Sequence, residues 1–286
     1  MDNVVKASIM SFQIATDVEP KTVEYNGNAI HYFVSGTEHG ETMVFLHPVF
    51  GDHRCFDHQI TDFSACYRVI TVDLPGHGMT GVGKPKVSLA ATAEYLSEIL
   101  KTENRDKVHL VGVSLGALLA QDFALKYPEK MLSLTCLGGY SINKKQKDIA
   151  RSTGRERLRW LFKMVFSMDA FRRYVASLAV VNESERQRFY ESAMHFTRRS
   201  FAVMSGLGRL VANRAVSRSY PLLILSGERD SESAIQVSRR WHDEDLTNSE
   251  LFVIENAGHC ANMDNAEQFN EIVMRFVTKS RSRETN

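Results

Sequence analysis

Three residues in this chain could act together on a carbonyl group, and each stands just beyond an apolar run of strand character. Ser114 lies within Gly112-Val113-Ser114-Leu115-Gly116, after KVHLV and before a helical pattern that begins at Ala117. On a sharp strand-to-helix turn the serine hydroxyl projects above the carboxyl edge of a sheet. The glycines remove clashes that a Cβ would create, and the helix N-terminus favours developing negative charge. A serine alone is a poor nucleophile and needs a base, which in turn needs an orienting acid. Downstream, PLLILSG runs into Glu228-Arg229-Asp230, and ELFVIE runs into Asn256-Ala257-Gly258-His259. The expected set is therefore Ser114 as nucleophile, His259 as base and Asp230 as acid, in the chain order Ser, Asp, His.

Each of these residues has a rival. Glu228 is a second carboxylate beside Asp230, and the GERD segment favours Asp230. Glu255 and Asp264 flank His259 and read as surface or helix-start acids. His77, in DLPGHG, reads as a loop histidine beside turn glycines, and His47 as an anchor for its own loop. Gly78 to Lys84 matches the glycine and lysine positions of a phosphate-binding loop, but Pro85 stands where a magnesium-ligating Ser or Thr is needed. Asp52, His53, Asp57 and His58 cluster without any compact ligand spacing, so no metal is expected.

The elements that must position the three residues are legible as alternating runs. KTVEY and AIHYFVS flank Asn26-Gly27, a pair suited to a tight hairpin. MVFLH, RVITVD, KVHLVGVS and MLSLTCLG follow as short runs rich in β-branched residues. Helical periods such as LAATAEYLSEILKT and GALLAQDFALKYPEK separate them, and AEQFNEIVMRFVTK closes the chain as an amphipathic helix. Strands alternating with helices predict an α/β fold, a mostly parallel sheet covered on both faces. The alternation breaks from about residue 140 to 218, where only helical patterns occur. The expected organisation is a leader at 1–20, a core at 21–139 and 219–281, an inserted helical cap at 140–218 and a tail at 282–286.

Together GVSLG, the GERD segment, NAGH and DLPGHG (Asp73 to Gly78) resemble the α/β-hydrolase superfamily, over roughly residues 21 to 277. The resemblance implies serine-based hydrolysis of a carboxylic ester, lactone or thioester, with no cofactor. Carbon–carbon bond hydrolysis or a lyase reaction on an anionic substrate is the alternative within this scaffold, and a ligand-sensing relative that does not turn over is a third. Dehalogenases and epoxide hydrolases of this kind place Asp where Ser114 stands. The resemblance also implies an oxyanion hole built from the N–H groups of Leu115 and Val49. Here the chain departs from the usual His-Gly: it has His47-Pro48-Val49-Phe50-Gly51, and proline fixes φ near roughly −65°.

Composition sets the outer limits. The chain has 286 residues, 43% of them hydrophobic and 24% charged, with a net charge of +1, which gives no argument for a nucleic-acid partner. No apolar stretch approaches the roughly 18 residues of a membrane span. The first residues lack a basic region followed by an apolar block, so the expectation is a cytoplasmic protein, monomer or homodimer, acting on a small molecule. Cys55, Cys66, Cys136 and Cys260 show no ligand spacing and read as free thiols. Residues 140–218 carry 17 Lys and Arg against 6 Asp and Glu. Among them Arg155, Arg159, Arg172 and Arg173 are candidates to bind a substrate carboxylate, and Trp160 is a candidate to line an acyl pocket.

Overall fold

The computed structural model describes residues 17–84, 87–142, 167–204, 207 and 218–284. Asn26 and Gly27, at φ 49° and 72°, close the expected hairpin between β1 (Glu19–Tyr25) and β2 (Asn28–Gly36). Six further strands follow: β3 (Thr42–Leu46), β4 (Arg68–Val72), β5 (Val108–Val113), β6 (Met131–Leu137), β7 (Leu222–Gly227) and β8 (Ser249–Ile254). They form one eight-stranded sheet in the order β1-β2-β4-β3-β5-β6-β7-β8. β2 is antiparallel to both neighbours, and every pair from β4 through β8 is parallel.

The central strands read as unbroken apolar runs because helices cover both faces. Successive β3 residues divide between the two layers, as the two-residue strand period requires. Val44 and Leu46 join Leu96, Ile99, Leu119 and Phe123 of α2 (Thr92–Thr102) and α3 (Leu115–Lys126), with Trp241 of α6 (Glu232–Asp243). Met43 and Phe45 join Ile60 and Phe63 of α1 (Asp57–Phe63) and Phe269, Val273 and Phe276 of α8 (Ala266–Glu284).

Between β6 and β7 the described residues hold α4 (Met168–Ala179), α5 (Glu183–Ala193) and a 3-10 segment at Arg198–Met204, and no strand. Ser167 and Asn182 cap the two helices, accepting from Ala170 N–H and Ser184 N–H. Ion pairs dock this segment on the turn after β3 and on the start of α1. Arg188 reaches Asp57 at 2.6 Å, His58 meets Glu185 at 3.1 Å, and Arg54 binds both Asp52 and the Glu191 carbonyl. Burial alone would raise the Asp52 carboxyl; the Arg54 guanidinium overrides it and holds the group well below the usual carboxylate range. The basic character of residues 140–218 is in part spent on such contacts.

Beneath the 3-10 segment lies His77, with its ring against those of Phe196 and His47. Its Nδ1–H donates to Pro75 O at 3.0 Å, while Nε2 is buried without a hydrogen-bond partner among the described residues. Burial lowers its pKa from the usual 6.5 to about 3. The unfolded chain takes up a proton in that window that the folded protein refuses. Stability is therefore full above the upper value and is lost as pH falls towards the lower one, on the order of 1 kcal/mol per pH unit from this side chain. Urea unfolding between pH 6.5 and 4 should show that slope, and His77→Gln should flatten it by about one proton.

Candidate active site

β5 passes into α3 through Ser114, which adopts φ 54° and ψ −110°, a conformation that a non-glycine residue holds only when its surroundings enforce it. The enforcement is backbone contact. A Cβ on Gly112 would lie 2.4 Å from Gly116 O, and one on Gly116 would lie 2.0 Å from Leu46 O and 3.0 Å from His47 O. Ser114 N–H donates to Leu137 O at 2.8 Å, tying the turn to the end of β6. The hydroxyl is thereby presented, half-buried, at the carboxyl edge of the sheet.

Asp230 and His259 stand beyond β7 and β8 on that same edge. His259 Nδ1 lies 2.8 Å from Asp230 Oδ2, and the Asp230 side chain is 7% exposed. The Nδ1–H donates to the carboxylate, so Nε2 carries the lone pair. Asp230 Oδ1 accepts from Ser231 N–H at 2.7 Å, which fixes the carboxylate plane. The two loops are also joined directly. Arg229 N–H donates to Ala257 O at 2.8 Å, and a Cβ on Gly227 would meet Gly258 O at 2.0 Å. Glu228, the rival acid, is turned to another task, accepting from Asn256 N–H at 2.9 Å.

The imidazole rests on Gly138, where a Cβ would lie 2.9 Å from His259 Cε1. Gly138 directly follows Leu137, the partner of Val113 in the sheet and of Ser114 N–H. The ring and the serine therefore occupy adjacent strand ends. Among the described residues no hydrogen bond joins Ser114 Oγ to the imidazole; in unliganded sites such bonds are often long and tighten on binding.

The loop after β3 faces the start of α3. His47 Nε2 accepts from Leu74 N–H at 3.0 Å, so the proton sits on Nδ1 and is donated to Pro48 O at 2.8 Å. Burial holds this imidazole below its ordinary pKa and hence neutral, as the double role demands. Gly51 N–H donates to Pro48 O at 3.1 Å, closing a turn over Pro48 to Gly51. Phe50 supplies the positive φ, 72°, that a type II turn asks of its third residue and usually takes from glycine. Left-handed backbone at a residue with a side chain costs about 1–2 kcal/mol. The Phe50 ring offsets that cost by packing edge-on against Phe171 of α4 and against Phe196. Neither Val49 N–H nor Leu115 N–H is bonded to another backbone group among the described residues.

Other candidates are placed elsewhere or engaged. Arg172 donates to Phe196 O at 2.8 Å, and Arg173 pairs with Asp169 at 3.0 Å and lies over the Tyr190 ring. Arg155, Arg159 and Trp160 lie outside the described residues. Asp73 accepts from His53 N–H at 2.9 Å and Met79 N–H at 2.8 Å, holding the glycine-rich turn as a structural loop. No group of three or more potential ligands that could hold a metal occurs among the described residues, and no described helix is long and apolar enough to cross a membrane. Asp264, read from the sequence as a helix-start or surface acid, instead ends the short helix α7 (Ala261–Asp264) half-buried, with its carboxylate accepting backbone N–H groups. Two of its donors, Val181 N–H and Asn182 N–H, lie far away in the chain and leave no local pattern.

Known proteins share this architecture. The chain is 27% identical over 276 residues to the 2-hydroxy-6-oxononadienedioate/2-hydroxy-6-oxononatrienedioate hydrolase of Burkholderia vietnamiensis, covering 87% of this chain and 91% of that protein. It is 25% identical over 254 residues to 3-oxoadipate enol-lactonase 1 of Acinetobacter baylyi, covering 88% and 94% respectively. A thermophilic esterase from Thermogutta terrifontis superposes with a TM-score of 0.74 at 18% identity, covering 92% of this chain and 98% of that one. The model of the alpha/beta hydrolase family matches residues 43–272, and the chain belongs to that family.

Proposed function

We propose that this protein is a serine hydrolase that cleaves a carboxylic ester, lactone or thioester through an acyl-enzyme on Ser114. The observation that carries the reading is the 2.8 Å Asp230–His259 pair, set on the same sheet edge as a serine held at φ 54°. Family membership and the hydrolase relatives support a hydrolytic role. Ser114 Oγ attacks the carbonyl carbon while its proton passes to His259 Nε2. Asp230 holds the ring in the tautomer that can accept the proton and stabilises the imidazolium that forms. The tetrahedral oxyanion is met by Leu115 N–H and Val49 N–H, a pair of fixed donors that requires little reorganisation when charge appears. His259 then protonates the departing oxygen or sulfur. Water attacks the acyl-enzyme with the same imidazole as base, returning the serine and releasing the acid.

A second reading has support of its own. One of the two relatives is named for a dicarboxylate substrate and the other for the enol-lactone of a dicarboxylic acid, and residues 140–218 carry a large positive excess. Carbon–carbon bond hydrolysis of an anionic substrate by the same three residues would use both features. Of the four candidate arginines, Arg172 and Arg173 are engaged internally, which leaves Arg155 and Arg159 as the candidates for the carboxylate-binding role.

Ser114→Ala should abolish both fluorophosphonate labelling and turnover of p-nitrophenyl esters; an active Ser114→Ala protein sinks the proposal. Asp230→Asn should lower kcat by roughly 10⁴-fold, since an amide stabilises the wrong imidazole tautomer. The anionic-substrate reading makes a separate prediction for Arg155→Ala and Arg159→Ala. At least one should raise KM for an acidic ester by about 10-fold or more, the worth of one charged hydrogen bond, with little change for a neutral ester. Equal changes for both esters exclude the role.

A further inference from the structure

The loop that carries His259 is tied to the helical segment between β6 and β7. Asp264 lies five residues beyond the histidine, and its carboxylate joins two pieces of chain. Oδ1 accepts from Val181 N–H at 2.9 Å and Asn182 N–H at 2.7 Å, in the connection between α4 and α5. Oδ2 accepts from Gly258 N–H at 2.8 Å, immediately before His259, and shares the Val181 N–H at 3.1 Å. On the other flank of the histidine, Cys260 N–H donates to Ala179 O at 2.8 Å, the last residue of α4. Residues 258 and 260 are thus both fastened to the helical segment, and His259 is the residue between them. The fit leaves no slack. A Cβ on Gly258 would lie 3.0 Å from Val181 Cγ2 and 3.2 Å from Asp264 Oδ2, and one on Gly138 would lie 2.9 Å from His259 Cε1.

We propose that Asp264 is a positioning residue: its carboxylate latches the α4–α5 connection to the histidine loop and so sets where His259 presents Nε2 to Ser114. The inference rests on the assignment of Ser114 and His259 made above, and it gives the helical segment a share in proton transfer as well as in covering the site. The physical basis is the number of acceptors. A carboxylate accepts at both oxygens, whereas an amide accepts at one and donates at the other position. Asp264→Asn therefore keeps the shape of the side chain but turns an N–H₂ group against backbone N–H groups on one side of the latch.

The test is the rate of fluorophosphonate labelling of Ser114 and of p-nitrophenyl butyrate hydrolysis from pH 6 to 10, in wild type, Asp264→Asn and Ser167→Ala. The last variant removes the α4 cap and loosens the same helical segment without touching the latch. Asp264→Asn is expected to lower kcat and the labelling rate by up to about 100-fold, the scale of a misplacement of about 1 Å, with KM little changed. Its labelling should rise in proportion to hydroxide where the wild type reaches a plateau, because solvent then ionises the serine in place of the imidazole. Ser167→Ala should stay within about two-fold of wild type once corrected for folded fraction. A wild type that reacts at Ser114 beside an Asp264→Asn protein of equal rate, or of reduced rate with the plateau intact, overturns the latch alone. A wild type unlabelled at Ser114 overturns the assignment of the site and the latch with it. Should Asp264→Asn fail to fold, Asp264→Glu, which keeps two acceptors on a longer arm, is read against the same profile and the same outcomes.

Discussion

Backbone touches backbone along the carboxyl edge of the sheet, and the rest of the site is arranged around that proximity. Gly116 lies against the carbonyls of Leu46 and His47, Gly227 against those of Ala257 and Gly258, and Gly138 against the imidazole of His259. Each contact is closer than any Cβ would allow, so side-chain volume is excluded where loops from β3, β5, β6, β7 and β8 converge. The result is a set of short loops that brace one another. Ser114 can be kept at a positive φ because the chain before it and after it is fixed by neighbours whose own positions are fixed in the same way. Strain at one residue is tolerated when it is distributed against a stiff surround, and here the surround is main chain.

Much of this was legible in the residues. The parallel strands are enclosed by helices, so their apolar runs carry no alternation to confuse them, and the turn at Asn26-Gly27 needs the positive φ values that only a few residue types accept readily. GVSLG could be interpreted because both glycines answer a local steric demand. What stayed hidden depends on partners distant in the chain. Nothing near Asp264 foretells that its donors are the backbone N–H groups of residues 181 and 182. The GERD segment favours Asp230 over Glu228, but the partner that occupies Glu228, Asn256 N–H, is 28 positions away and leaves no mark beside it. Phe50 was equally opaque, since phenylalanine is a poor guess for a left-handed position. The clue lies in three phenylalanines, at 171, 196 and 201, that are far off in sequence and gather around it in space.

Electrostatics in the same region follow from burial. The turn after β3 holds Asp52 and the DLPGHG turn holds Asp73, both buried and both supplied with donors: the Arg54 guanidinium for one and backbone N–H groups for the other. His47 and His77 sit beside them and stay neutral because desolvation outweighs the pull of those carboxylates. A neutral imidazole that accepts at one nitrogen and donates at the other can serve as a rigid spacer between two loops, which is what His47 does between Leu74 and Pro48. Histidines are thus used in two ways in one region, His47 as a strut between loops and His259 as the partner of the Asp230 carboxylate.

The turn at Phe50 bears on how readily proteins of this architecture can trade parts. A glycine there would let the turn form by itself, whatever lies above it. A phenylalanine makes the turn conditional on an aromatic socket contributed by residues more than a hundred positions later. Grafting a foreign helical insert onto this core would therefore have to reproduce that socket, or else restore glycine at position 50, before any gain in substrate range could be read. In this molecule the turn after β3 and the helical segment are joined by aromatic contacts and are not separable parts.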